Sequence, residues 1–288
     1  MKKTEQTKLL LYIFLLITTV STQAQIGIGS TSPAPSAQLD VSSTTKGFLL
    51  PRMTASQRDA ISSPAAGLMI FCTDCGLCGE WQGYNGCGVW TNISGGPASV
   101  PEVTICAQRW MVKNLDVDKY RNGDPIPKVT DPTAWVALTT GAYCYYNNDS
   151  VTYAATYGKL YNWYAVNDPR GLAPTGWHIP SDAEWTILSA CLGGNATAGG
   201  AMKETGTTHW TSPNTGATNS SGFTALPGGF RFYSDGTFGF VSVGGYWWSS
   251  TEYNTTNAWQ RYLANYYGYI NIDNSNKQYG LSVRCLRD

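Results

Sequence analysis

The sequence predicts an α+β fold, with two helices followed by a mainly antiparallel sheet and a small β-rich module ahead of them. Three observations carry this. Ser181-Asp182-Ala183-Glu184 has the spacing of a capping box, and Trp185, Leu188 and Leu192 extend an apolar stripe at helical spacing until Gly193-Gly194 stops it. Beyond Gly222 the pattern changes to aromatic and β-branched runs cut by glycines, the punctuation of short strands. Upstream of both, Ser94-Gly95-Gly96-Pro97-Ala98-Ser99 is a run of small residues that reads as a linker.

The elements follow in chain order. Residues 1–24 read as a secretory signal peptide: Lys2, Lys3 and Lys8, then the apolar run Leu9–Val20, then small residues up to Ala24. That run is shorter than the roughly 20 residues needed to cross a bilayer. A secreted or cell-surface protein with no membrane span in the mature chain is therefore expected. Residues 25–93 form the β-rich module. Ala37–Val41, Phe48–Leu50 and Leu68–Phe71 read as its strands, and Thr54-Ala55-Ser56-Gln57 is a capping box opening a short helix that stops before Pro64. Residues 94–99 are the linker, and residues 100–288 hold nine of the 11 Trp and 16 of the 18 Tyr. There Gly158–Val166 sets Leu160, Trp163 and Tyr164 on one helical face, and the Ser181 box opens the second helix. Strands are expected at Phe223–Leu226, Phe230–Tyr233, Tyr246–Thr251, Trp259–Leu263, Tyr267–Ile272 and Leu281–Leu286.

Composition excludes two classes. Only 13% of the 288 residues are charged and aromatics are plentiful, which is the opposite of a disordered chain. With 19 basic against 19 acidic residues there is no basic footprint for a phosphate backbone, so nucleic acid is not an expected partner.

All eight cysteines lie beyond the leader, and an even number in an exported chain reads first as disulfides. Cys72, Cys75, Cys78 and Cys87 form a local group whose spacing also suits a zinc knuckle. Cys106, Cys144, Cys191 and Cys285 are dispersed, and bridges among them would close long loops.

Groups able to do chemistry are scarce. His178 lies in the Trp177–Trp185 turn-and-helix stretch, where a structural imidazole is expected, and His209 lies in a Ser/Thr/Gly-rich loop, where solvation is. Asp182 and Glu184 occupy the first turn of a helix, a position the amide dipoles explain without catalysis. No catalytic residue, metal or cofactor is assigned. Binding is the stronger expectation, because Trp and Tyr faces stack on sugar rings while loop Asn, Asp and Gln meet the hydroxyls. The clusters that fit are Tyr145-Tyr146-Asn147-Asn148-Asp149, His209-Trp210, Trp259-Gln260, and Tyr266-Tyr267-Gly268-Tyr269 with Asp273-Asn274. From them Tyr145, Tyr146, Asn148, Trp210, Trp259, Tyr267 and Tyr269 are the candidate ligand contacts, although Asp273-Asn274-Ser275-Asn276 also reads as a hairpin turn.

Motifs spread through residues 100–288 carry a resemblance. Trp110-Met111-Val112-Lys113-Asn114-Leu115, Gly158–Ala165, Gly176-Trp177-His178-Ile179-Pro180-Ser181, Leu226-Pro227-Gly228-Gly229, Tyr246-Trp247-Trp248-Ser249-Ser250-Thr251 and Gly280–Cys285 resemble the Fibrobacter succinogenes major paralogous domain family. The resemblance implies a C-type-lectin-like fold, more distantly similar to formylglycine-generating enzymes. It also implies a disulfide from helix to last strand, Cys191 with Cys285, leaving Cys106 with Cys144. The close redox cysteine pair of formylglycine-generating enzymes is not matched, since Cys285 is the only cysteine after Cys191. An oxidoreductase is thus the less favoured alternative. The acceptor-Pro-Asn and Trp-Asn-Asp tripeptides of calcium-dependent lectins are not matched either.

The first module, through Ile26-Gly27-Ile28-Gly29, Lys46–Met53 and Tyr84-Asn85-Gly86, resembles the N-terminal segment of many Bacteroidetes secreted surface proteins, and such segments resemble phage tail-fibre modules. This implies assembly or presentation through a homo-oligomer. The expectation is a non-catalytic surface protein that recognises a glycan or a surface protein, with a structural or assembly role as the alternative.

Overall fold

The computed structural model describes residues 25–75, 79–85, 90–92 and 101–288; the predicted leader, the linker, Cys78 and Cys87 lie outside the described residues. Two compact units divide between Leu50 and Pro51.

In the first unit β1 (Ile26–Ile28) and β2 (Leu39–Val41) form a parallel pair, with Ile26 opposite Leu39 and Ile28 opposite Val41. Side chains alternate along a strand, so these four share one face and Gly27 and Asp40 the other. The crossover between the strands covers the second face. Asp40 Oδ2 accepts from the Ala34 amide at 2.8 Å, and a Cβ on Gly27 would lie 2.9 Å from the Pro33 ring. The first face is bare, with all four apolar side chains exposed. The strand expected at Phe48–Leu50 does not form; that stretch is irregular, and Phe48 and Leu49 are exposed.

The second unit begins with β3 (Arg52–Met53), α1 (Ala55–Asp59), β4 (Met69–Cys72), β5 (Glu80–Tyr84) and β6 (Trp90–Asn92), whose four strands form one sheet in chain order. The predicted capping box opens α1: the Gln57 amide donates to Thr54 Oγ1 at 3.2 Å, and the Thr54 amide to Gln57 Oε1 at 2.9 Å.

A hairpin of β7 (Glu102–Ile105) and β8 (Gln108–Met111) follows, then α2 (Pro132–Val136), β9 (Tyr143–Cys144), a 3-10 turn at Tyr146–Asn148, α3 (Ser150–Tyr157), β10 (Leu160–Tyr161), α4 (Trp163–Val166) and β11 (Trp177–His178). Next come α5 (Asp182–Cys191), α6 (Asn195–Met202), β12 (Gly228–Arg231), β13 (Phe238–Val241), β14 (Gly244–Glu252), β15 (Asn257–Ala264), β16 (Asn271–Asn276) and β17 (Leu286–Arg287). The large sheet runs β13-β12-β14-β15-β16 and a smaller one β11-β17-β8-β7. Helices precede the large sheet, which is antiparallel except where β12 meets β14, so this unit is α+β as the sequence predicts. The expected two helices are corrected to five, α2 to α6; the three unexpected ones, α2, α3 and α6, are only five to eight residues long, too short for a helical period to announce them.

Local chemistry decided where the expected elements held. The Ser181 box is present, with the Ser181 amide donating to Glu184 Oε2 at 2.8 Å and the Glu184 amide to Ser181 Oγ at 3.3 Å. The helix expected over Gly158–Val166 is corrected to a strand and a single helical turn. Leu160 and Tyr161 pair with Cys144 and Tyr143, and the turn starts only where Asn162 Oδ1 accepts from the Ala165 amide at 3.1 Å. The stretch Asp273–Asn276 is not a turn but the end of β16, with Asp273 opposite Gln260. Phe223–Leu226 remains irregular. α6 contains Gly199-Gly200, poor helix formers, because the chain at Gly268–Tyr269 lies against it. A Cβ on Gly199 would stand 2.4 Å from the Tyr269 carbonyl oxygen, and one on Gly200 2.3 Å from that of Gly216.

Adjacent tryptophans on β14 serve two cores. Trp248 joins Trp163, Trp177, Phe230 and Val283 on one face of the sheet, and Trp247 joins Trp110, Trp185, Leu188 and Phe223 on the other. Each indole is satisfied, Trp248 Nε1 donating to the Tyr161 carbonyl at 2.8 Å and Trp247 Nε1 to Asn114 Oδ1 at 2.9 Å. Three fully buried cations tie loops to this framework through neutral oxygens. Lys203 Nζ donates to the carbonyls of Thr215, Ala264 and Tyr267 at 2.8–3.0 Å. Arg231 donates to the carbonyls of Gly236, Val129 and Thr130. Arg284 donates to those of Met111 and Phe223 and to Asn114 Oδ1.

The disulfides correct the pairing implied by resemblance. Cys106 pairs with Cys191, not Cys144, and Cys285 pairs with neither. The turn of the β7–β8 hairpin brings Cys106 to the end of α5, with Cα atoms 6.6 Å apart, within disulfide reach. A second bridge joins Cys72 to Cys75. Cys144 and Cys285 are buried free thiols, and burial pushes each up to about 12, so the thiolate needed for exchange is suppressed.

Candidate ligand-binding cleft

The face of the large sheet that carries Trp248 continues past the core into an open cleft of about 410 Å³. Strand register builds it. Tyr246 of β14 stands opposite Tyr262 of β15, and Gln260 opposite Asp273 of β16, so residues two apart on three strands point the same way. The Tyr246 and Tyr262 rings stack at 5.5 Å and 17°, and Phe230 of β12 meets Tyr246 edge-on at 4.8 Å and Tyr279 at 5.5 Å. Tyr266 stands at the rim, 62% exposed.

Besides the tyrosine hydroxyls, three side chains supply polarity: Gln260, Asp273 and Ser275. Gln260 Nε2 donates to Ser275 Oγ at 2.8 Å, while Gln260 Oε1 has no partner although the residue is only 6% exposed. A buried carbonyl left unpaired costs free energy that a ligand donor recovers. Burial holds the phenols of Tyr246, Tyr262 and Tyr279 above their ordinary value, and the Asp273 carboxylate reinforces this at Tyr262 and Tyr279. Those hydroxyls therefore stay neutral.

The seven candidate contacts read from sequence are not brought together. Tyr146 packs with Trp135 and Leu160 in a third core, and Trp210 is 1% exposed, donating its indole N–H to the Ala225 carbonyl at 2.9 Å. Tyr145 lies under Lys159 Nζ at 4.9 Å, itself paired with Asp116 at 2.6 Å. Asn148 donates to the Thr130 carbonyl at 3.0 Å, and Trp259 packs edge-on against Tyr253. Only Tyr267 and Tyr269 approach the cleft. Their rings stack at 3.8 Å, and Tyr267 meets the rim residue Tyr266 at 4.7 Å. Gln260, Tyr266 and Asp273 lay within the sequence clusters; Phe230, Tyr246, Tyr262 and Tyr279 did not. The alternation Tyr246/Trp248 and Gln260/Tyr262 was the available signal, but it assigns a face only once the register is known.

Both histidines lie against carboxylates. His178 Nδ1 lies 2.8 Å from Asp288 Oδ1 and its Nε2 2.9 Å from Glu184 Oε1, which joins β11 to the first turn of α5 and to the chain after β17. His209 is not simply solvated as expected: Glu204 lies 2.8 Å from its Nδ1. Among the described residues Cys72, Asp74 and Cys75 are grouped closely enough to hold a metal, but the two thiols are joined in the disulfide, which removes the thiolates a metal requires.

Comparison with known proteins assigns the chain. The family model described as the Fibrobacter succinogenes major domain matches residues 103–287. The chain belongs to that family. The matched span of the Fibrobacter succinogenes major domain runs from β7 to β17 and includes every residue of the cleft. Residues 27–105 match the model of a phage tail like trimerisation region. No curated protein and no solved structure matches the chain. No helix among the described residues is long and apolar enough to cross a membrane.

Proposed function

We propose that this chain is a secreted or cell-surface protein whose Fibrobacter succinogenes major domain binds carbohydrate without turning it over, on the lectin-like fold that its motifs imply. The observation that carries the reading is the open cleft walled by Tyr246, Tyr262 and Phe230 with Gln260, Asp273 and Ser275 among them. Aromatic walls with a few convergent polar groups, at this volume, are the make-up of a small-ligand site. Sugars present apolar ring faces to such walls and hydroxyls to such polar groups. Lack of turnover is supported by the cleft lining, which holds one carboxylate, Asp273, where glycoside hydrolysis works with a pair, and by the free thiols being buried. A glycan array probed with the full chain and with Tyr262→Ala tests it. Binding to defined glycans that the variant loses is expected, and an array blank for the full chain overturns the reading.

A role in assembly is favoured by a separate observation, the match of residues 27–105 to a trimerisation region together with the bare apolar face of β1 and β2. A two-stranded parallel sheet is stable only when covered, and copies of the same segment supply a cover. Three clefts carried on one trimer would raise avidity for a repeating glycan well above the affinity of one cleft.

A further inference from the structure

The cleft is charged in one sense only. Asp273 is its single ionisable carboxylate, and no Lys, Arg or His lines it. Among the described residues Asp273 forms no ion pair; its Oδ1 accepts the Asn274 amide at 2.8 Å. The next basic side chain along the sequence, Lys277, is already neutralised by Glu252 at 2.7 Å. Opposite Asp273 in the strand register stands Gln260, whose Oε1 is a second acceptor, buried and unpartnered. The aromatic walls add their own negative faces, which attract cations. Asp235 and Asp273 both act on the Tyr279 phenol in the direction that keeps it protonated.

These features select among sugars. An anionic sugar would meet a carboxylate with no cation to offset it. A neutral one would bring hydroxyls that bond as well to water, leaving Asp273 without a charge partner. A protonated amine on the ring answers all three features at once: an N⁺–H for Asp273, a further N–H for Gln260 Oε1, and a positive charge over a tyrosine face. We infer that the cleft takes an amino sugar with a free amine, a 2-amino-2-deoxyhexose unit held by Asp273 and Gln260 against Tyr246 and Tyr262.

This rests on the carbohydrate reading, and the test separates the two. Calorimetry on the full chain compares three tetramers of the same linkage, built from glucosamine, N-acetylglucosamine and glucose. The glucosamine tetramer is expected to bind at least about tenfold more tightly than the others, the gain of one charge-assisted contact. Asp273→Asn, an exposed strand position that can still accept the Asn274 amide, should bring it down to the level of the glucose tetramer. Equal binding of all three, or preference for the acetylated one, with loss in Tyr262→Ala, overturns the amine and leaves the carbohydrate reading intact. Binding of the glucosamine tetramer that survives Tyr262→Ala overturns the inference by showing charge attraction outside the cleft. No binding of any tetramer overturns the amine and counts against the carbohydrate reading as well.

Discussion

Arg261 on β15 and Asp182 at the first turn of α5 form an ion pair at 2.6 Å in which the arginine side chain is fully buried. The same guanidinium donates to the Asp182 carbonyl and to Thr186 Oγ1, so the strand that carries Gln260 and Tyr262 is bolted to the helix from the face opposite the cleft. Asp182→Ala strips the charge partner from a buried cation and should cost about 2 kcal/mol, below the 3–5 typical of a wholly buried pair because the aspartate is partly exposed. Adding Arg261→Met should restore most of that loss. Urea denaturation of the two single variants and the double variant measures it.

The His178 cluster predicts a window of acidity. Burial alone would lower the imidazole, but hydrogen bonds to Asp288 and Glu184 raise it above 6.5 on balance. Its contribution to stability is therefore complete below 6.5 and is lost as pH rises through the folded value. Burial likewise would raise Glu184, but the Ser181 amide and hydroxyl and His178 hold it below 4.5, so its contribution is complete above 4.5 and lost as pH falls through the folded value. The melting temperature should be highest between about 4.5 and 6.5 on account of this pair, and Glu184→Gln should flatten the profile and shift the imidazole resonances of His178 to titrate lower.

Loop length sets the weight of the Cys106–Cys191 bridge. It spans 85 residues of sequence, for which chain entropy gives roughly 4.6 kcal/mol, so Cys106→Ser with Cys191→Ser should melt far below the parent. The buried Cys144 and Cys285 should stay unalkylated at pH 8 in the folded protein and react once it is unfolded, as peptide mapping by mass spectrometry would read. Alkylation of either in the native chain would show that the burial is wrong.

Gly199→Ala should reverse the usual sign of that substitution. An exposed helical glycine gains up to about 1 kcal/mol on becoming alanine, whereas here the new carbon meets the Tyr269 carbonyl at 2.4 Å. A loss of about 1–3 kcal/mol is expected, as for other overpacked sites, with altered near-ultraviolet signal from the Tyr267–Tyr269 stack.

The assembly reading makes a separate forecast. Ile28→Asp with Val41→Asp puts two charges on the bare face of the first unit, and sedimentation should then show a monomer where the parent sediments as a trimer. A parent that sediments as a monomer counts against assembly.

Helix starts were legible because their signals are contained in four residues: Thr54 to Gln57 and Ser181 to Glu184 both close the boxes their spacing predicts. The fold class was legible from the change of pattern after Gly222. The cleft was not, since it exists only through the register of β14, β15 and β16, and no local signal pairs Tyr246 with Tyr262 or Gln260 with Asp273. Aromatic richness pointed to clusters of Trp and Tyr but not to the rings that wall the cleft, because Trp210 and Tyr146 satisfy the same sequence pattern from inside the core. The short β9–β10 pair defeated the helical reading of Leu160 for the same reason, a partner far enough away in sequence to leave no trace.

Lys203, Arg231 and Arg284 are anchored by peptide carbonyls and one amide oxygen instead of by carboxylates. Such acceptors have no proton to gain in acid, and these anchors lie where dissolved ions do not screen them. Brine or acid that loosens ordinary surface pairs would leave the clamps around both cores gripping, whereas alkali would release the one at Lys203 first, because burial lowers its ammonium to about 8.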